Sequence, residues 1–82
     1  MATSPYDPRH EELVRRIRRA RREAGLTQAE VAEDLGLPQS VISRLEAGQR
    51  KVSAIELRDL SELLEVSMEH LVPEGGWKKK RR

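Results

Sequence analysis

A chain of 82 residues has room for one domain, and so small a core calls for economical helix packing or a second copy. Cysteine is absent and the two histidines, His10 and His70, lie far apart, which excludes disulfide staples and a zinc centre; no apolar run is long enough to cross a bilayer, so a cytoplasmic protein with no cofactor and no membrane contact is expected. The net charge of +2 hides a basic front (ten basic and seven acidic side chains in residues 9–51), an acidic back (one and six in residues 52–76) and five basic side chains in the last six residues, an arrangement that turns one side toward a polyanion.

Phe is absent, and Val, Ile, Thr and Tyr never alternate with period two, so an all-α fold is predicted. Caps and stops place five helices. Asp7 caps the first, with Pro8 at its first position where a missing N–H costs nothing, and Gly25 stops it after Ala24. Its expected inner face is Leu13, Ile17, Ala20 and Ala24, with His10, like His70, at the surface or boundary. Glu11 with Arg15 and Glu12 with Arg16 stand in the favourable i to i+4 order, so Arg15, Arg16, Arg18, Arg19 and Arg22 are expected to face mostly outward, solvated or self-paired. Thr27 to Glu30 reads T-x-x-E, a capping box, and the second helix runs to Leu35 before Gly36. Pro38 marks the start of the third, in which Val41, Ile42 and Leu45 form the buried stripe, and Gly48 ends it.

A second capping box, Ser53 to Glu56, opens a fourth helix whose Ile55, Leu57, Leu60, Leu63 and Leu64 form a broad apolar face. Ser67 caps a last turn through Leu71 before Pro73. These limits define a domain over residues 8–72, with flexible ends at 1–7 and 73–82; nothing can bury or neutralise the basic run that follows Gly75, Gly76 and Trp77.

The second and third helices are too short to be stable alone, so the angle between them needs a purpose. With Gln28 as the first position, the fifth is Ala32, where only a small side chain lets two helices approach, and the ninth is Gly36, where the turn needs a positive φ. The fifteenth and eighteenth, Ile42 and Leu45, are apolar and lock the second helix of the pair onto the core. Leu26-Thr27-Gln28-Ala29-Glu30-Val31-Ala32, then Leu35-Gly36, then Gln39-Ser40-Val41-Ile42-Ser43-Arg44-Leu45-Glu46-Ala47-Gly48 resemble the phage-repressor-like Xre/Cro helix-turn-helix family, over roughly residues 10–72. Pro38 departs from the pattern, standing where that family more often has a capping Ser or Thr. The resemblance implies a five-helix lambda-repressor-like domain that works as a dimer on a two-fold operator. It also implies a partly buried ion pair between Arg21 and Glu46 that fixes the reading helix.

A helical wheel of residues 39–47 sets the buried stripe against an outward face of Gln39, Ser40, Ser43, Arg44 and Ala47. Gln39 can pair with adenine in a bidentate way, Arg44 can reach guanine or a phosphate, and the serines can donate or accept, so these four are the candidate base readers. Gln28 begins the second helix, where free amides and the positive end of the dipole favour a phosphate oxygen. The resemblance also lets it brace Gln39, and it puts Gln49, Arg50 and Lys51, in the loop after the third helix, on phosphate as positioning contacts.

No nucleophile has a base nearby in any motif and no glycine loop cradles phosphate, so no enzyme activity is expected. The expected function is a sequence-specific transcriptional regulator on double-stranded DNA, a homodimeric repressor. The alternative is an antitoxin whose back holds a toxin partner while its front binds their shared promoter. An activator using Glu62, Glu65 and Glu69 toward the polymerase is a third reading. Met68, Leu71 and Val72 are the residues expected to serve a protein partner or a second copy.

Overall fold

The computed structural model describes residues 7–73. They form five helices and no strand: α1 Pro8–Glu23, α2 Gln28–Leu35, α3 Gln39–Glu46, α4 Ala54–Leu64 and α5 Met68–Leu71. Apart from Asp7 and Pro73, the two predicted flexible ends, with Trp77 and the basic tail, lie outside the described residues.

The starts of four helices follow from a single side-chain oxygen each. Asp7 accepts from the Arg9 N–H at 2.8 Å, Thr27 from that of Glu30 at 3.1 Å, Ser53 from that of Glu56 at 3.1 Å and Ser67 from that of His70 at 3.0 Å. Both capping boxes close, since Glu30 and Glu56 each accept the N–H of their own cap residue. Such a cap contributes about 1 kcal/mol. Helix α3 is the exception, because Pro38 offers no side-chain cap and leaves the first amides of this helix without one. Helix α2 ends on Gly36 at φ 70°, and the next amide, Leu37 N–H, turns back to Ala32 O at 2.9 Å. That left-handed residue is what allows α3 to leave at an angle instead of continuing α2.

The core draws on every helix: Val14, Ile17 and Ala20 from α1, Val31 and Ala32 from α2, Ile42 and Leu45 from α3, Leu60 and Leu64 from α4, and Leu71 from α5. Helix α3 rests on α1 and α2, while α4 and α5 close the other side. Three packing expectations need correction. Ala24 is exposed and Val14 takes its place, because the helix already gives way to the turn at Ala24. Ile55 is 75 % exposed: it sits in the first turn of α4, before the apolar face reaches the core. His10 is buried, one turn before Val14, with its Nε2 unpartnered.

Helix α5 has only one turn, far below the length at which a helix persists alone. Leu71, at 0 % exposure, holds it, and burying a leucine contributes roughly 1.5–3 kcal/mol. Leu71 is therefore core, and only Met68 and Val72 of the expected partner surface are open to solvent. From α1, Arg16 Nη1 reaches the carbonyls of Val72 at 3.3 Å and His70 at 3.5 Å. Among the described residues no helix is long and apolar enough to cross a membrane.

Candidate nucleic-acid interface

The C-terminal end of α3 is the junction of three helices. Arg21 of α1 donates through Nε to Glu46 Oε2 at 2.6 Å and through Nη2 to Oε1 at 3.0 Å. Its Nη1 donates to Leu26 O at 2.8 Å, which also fixes the turn into α2. Gln28, the first residue of α2, donates from Nε2 to Glu46 Oε1 at 3.0 Å. Arg18 adds a bond from Nη1 to the backbone carbonyl of Glu46 at 2.9 Å. Glu46 is 3 % exposed, a burial an ionised carboxylate tolerates only when it is this fully bonded. One acid thus holds the outward face of α3 in register with α1 and α2.

On that face, Gln39, Ser40, Ser43 and Arg44 are all exposed, with Ile42 and Leu45 buried beneath them and Val41 half-buried. Gln49 and Lys51 are exposed in the following loop. Gln28 and Arg50 are placed differently, each half-buried and already engaged. Gln28 donates to Glu46, a buried carboxylate and so a strong acceptor, and the brace to Gln39 that the resemblance allowed is not formed. Arg50 makes two parallel bonds to Glu56 at 3.1 Å each, and its guanidinium holds the Glu56 carboxyl below the usual carboxylate range.

The charges sort by location. Arg9 pairs with Asp7, Arg15 and Arg16 both pair with Glu12, Arg19 with Glu23, and Arg58 with Glu62. The expected pair between Glu11 and Arg15 is not formed, since Glu12 takes both arginines. Among the described residues, Arg18, Arg22, Arg44 and Lys51 are the cations with no carboxylate partner. Two of the four, Arg44 and Lys51, stand on the outward face of α3 and in the loop after it. Sequence reasoning missed the Arg18 and Gln28 contacts with Glu46 and the pairing of Arg50. Gln28 and Glu46 are eighteen residues apart, so no periodicity links them, and only the packing of α3 on α1 and α2 makes them neighbours.

A pair of short helices set at an angle by a left-handed glycine, with the second presenting polar side chains outward and its end pinned to the scaffold, defines a helix-turn-helix DNA-binding domain. The helix-turn-helix family model matches residues 17–71, and the chain belongs to that family, of the Xre or lambda-repressor-like kind. Two relatives agree. The chain is 37 % identical over 59 residues to the uncharacterized HTH-type transcriptional regulator YazB of Bacillus subtilis (strain 168), covering 72 % of this chain and 86 % of that protein. It is 46 % identical over 54 residues to the uncharacterized HTH-type transcriptional regulator y4dJ of Sinorhizobium fredii (strain NBRC 101917 / NGR234), covering 66 % and 70 %. The protein is accordingly a DNA-binding regulator of the helix-turn-helix class.

Proposed function

We propose that the chain is a repressor that binds a two-fold operator as a homodimer, each copy laying α3 in the major groove. Gln39, Ser40, Ser43 and Arg44 read base edges in this assignment, and Gln28, Gln49, Arg50 and Lys51 position the protein on phosphates. The observation that carries it is electrostatic. Most arginines of the domain are neutralised within the chain, whereas Arg44 and Lys51, like Arg18 and Arg22 of α1, have no carboxylate partner among the described residues, and both are exposed. A cation with no internal partner is free to neutralise a phosphate and release its counterion.

The contacts grade these roles. Gln28 spends one amide hydrogen on Glu46 and keeps the other for a phosphate. Arg50, neutralised by Glu56, contributes geometry more than charge. The second copy is assigned to the side of α5, where Met68 and Val72 are exposed. Selection from random duplex DNA at stated salt tests the reading, with enrichment expected for a symmetric site whose half-sites lie about 34 Å apart. Enrichment of no sequence overturns it, and co-purification of an unrelated small protein on the α5 side puts the antitoxin in its place.

A further inference from the structure

Helix α1 carries arginines at 15, 18, 19 and 22, the spacing that stacks side chains along one strip of a helix. The four line a single open groove with Glu23. The strip is not isolated: Arg15 and Arg18 also border the groove that runs over Ala47, Gly48 and Gln49 at the end of α3. Arg18 is fixed there by its bond to the Glu46 carbonyl, so the register of the strip against the reading helix is set.

We propose that this α1 strip is a second phosphate-binding track, which carries the duplex backbone beyond the bases that α3 reads. The inference rests on the DNA-binding reading above and extends its footprint. Its charge is available. Arg22 is exposed and has no carboxylate partner among the described residues, and Arg18 is committed only to a backbone oxygen. Arg15 shares Glu12 with Arg16, which holds that acid through its own contact at 2.9 Å. Arg19 occupies Glu23, and such exposed pairs are weak enough to exchange for phosphate. Glu11, also on the groove, is exposed at its rim.

The length fits as well. From Arg15 to Arg22 the helix rises roughly 10 Å, a length that along the duplex axis takes in about three phosphates of one strand. An acidic protein face would satisfy the same arginines. Continuity with the α3 groove favours DNA, because a duplex seated on α3 continues past the end of that helix whereas a protein partner has no reason to begin there.

The test compares the wild-type chain with Arg15→Ala/Arg22→Ala on two duplexes, the selected operator trimmed to its half-sites and the same operator with about ten flanking base pairs on each side. Both arginines are exposed on α1, so thermal melting of the variant checks that it folds, and Arg15→Gln/Arg22→Gln serves if the alanines melt early. On the flanked duplex the variant is expected to lose roughly 0.9 from the slope of log affinity against log salt for each arginine removed, with the trimmed duplex unchanged. Equal slopes for wild type and variant on the flanked duplex overturn the track while leaving the reading helix intact. That is also the outcome if the strip serves an acidic protein. A wild-type chain that selects no operator overturns the functional reading and the track together.

Discussion

Arg21 and Glu46 meet through two parallel contacts at 2.6 and 3.0 Å, with the acid 3 % and the arginine 11 % exposed. Removing the acid alone would leave the largely buried Arg21 charge with only the Leu26 carbonyl and take away the acceptor of Gln28. Glu46→Ala is therefore expected to lower the unfolding free energy by about 3–5 kcal/mol in urea titration. Arg21→Met with Glu46→Leu should recover most of that loss, since an apolar pair leaves no buried charge. A cost below about 1 kcal/mol for Glu46→Ala would show that the contact behaves as a surface bridge.

Arg44 shares the helix but not the burial. Its removal is expected to leave stability within about 0.5 kcal/mol, because its side chain is exposed and has no carboxylate partner among the described residues. Competition binding should instead show discrimination at one position per half-site falling by about 1–3 kcal/mol. Lys51→Ala should weaken every duplex alike and flatten the salt slope by roughly 0.9. If Arg44→Ala also weakened all sequences equally, Arg44 would be a phosphate contact and not a reader.

Much of this was legible in the sequence because it is local. Asp7, Thr27, Ser53 and Ser67 announce helix starts through bonds that span two or three residues, and Gly36 announces the turn through its own backbone. The outward polarity of Gln39, Ser40, Ser43 and Arg44 is a property of one helix and could be read from a wheel. What stayed hidden depends on helices meeting. Nothing near Arg18 signals that its guanidinium will cap the carbonyl end of α3, and nothing near His10 signals that it will be enclosed. Ile55 misled for a related reason: the periodic apolar face of α4 includes it, but the first turn of that helix projects past the core.

Two left-handed residues make opposite predictions. Gly36, at φ 70°, has open space where a side chain would begin, so Gly36→Ala meets no clash and its cost is conformational, about 1 kcal/mol. Glu65 holds φ 58° at the end of α4 with a full side chain. Glu65→Gly should relieve that strain and raise the melting temperature, the relief of about 1–2 kcal/mol exceeding the roughly 0.5–1 kcal/mol of added freedom in the unfolded chain. A lower melting temperature for Glu65→Gly would mean that its side chain holds the helix end more firmly than its backbone strains it.

One acid-labile contact lies at the start of α1. The hydrogen bonds from Arg9 bring the Asp7 carboxyl down from the usual 3.8 to about 2. Between these values the unfolded chain binds the proton and the folded one does not, so this contribution is complete above about pH 4 and disappears as pH falls toward 2. Asp7→Asn keeps a cap acceptor but cannot titrate. The difference in melting temperature between wild type and Asp7→Asn should hold constant down to pH 4 and then shift against the wild type, and a gap independent of pH would refute the assignment.

Glu56 closes its own helix through Oε1 and clasps Arg50 with both carboxylate oxygens. The segment after α3 is thereby tethered at its middle before any duplex arrives, and little of it has to be frozen on docking. Association should resemble two preformed solids meeting: quick, strongly slowed by salt, and with a heat-capacity change no larger than the contact area itself demands. Cutting the tether with Glu56→Gln would turn the same encounter into one that must order a loop, and the penalty would appear as entropy in calorimetry.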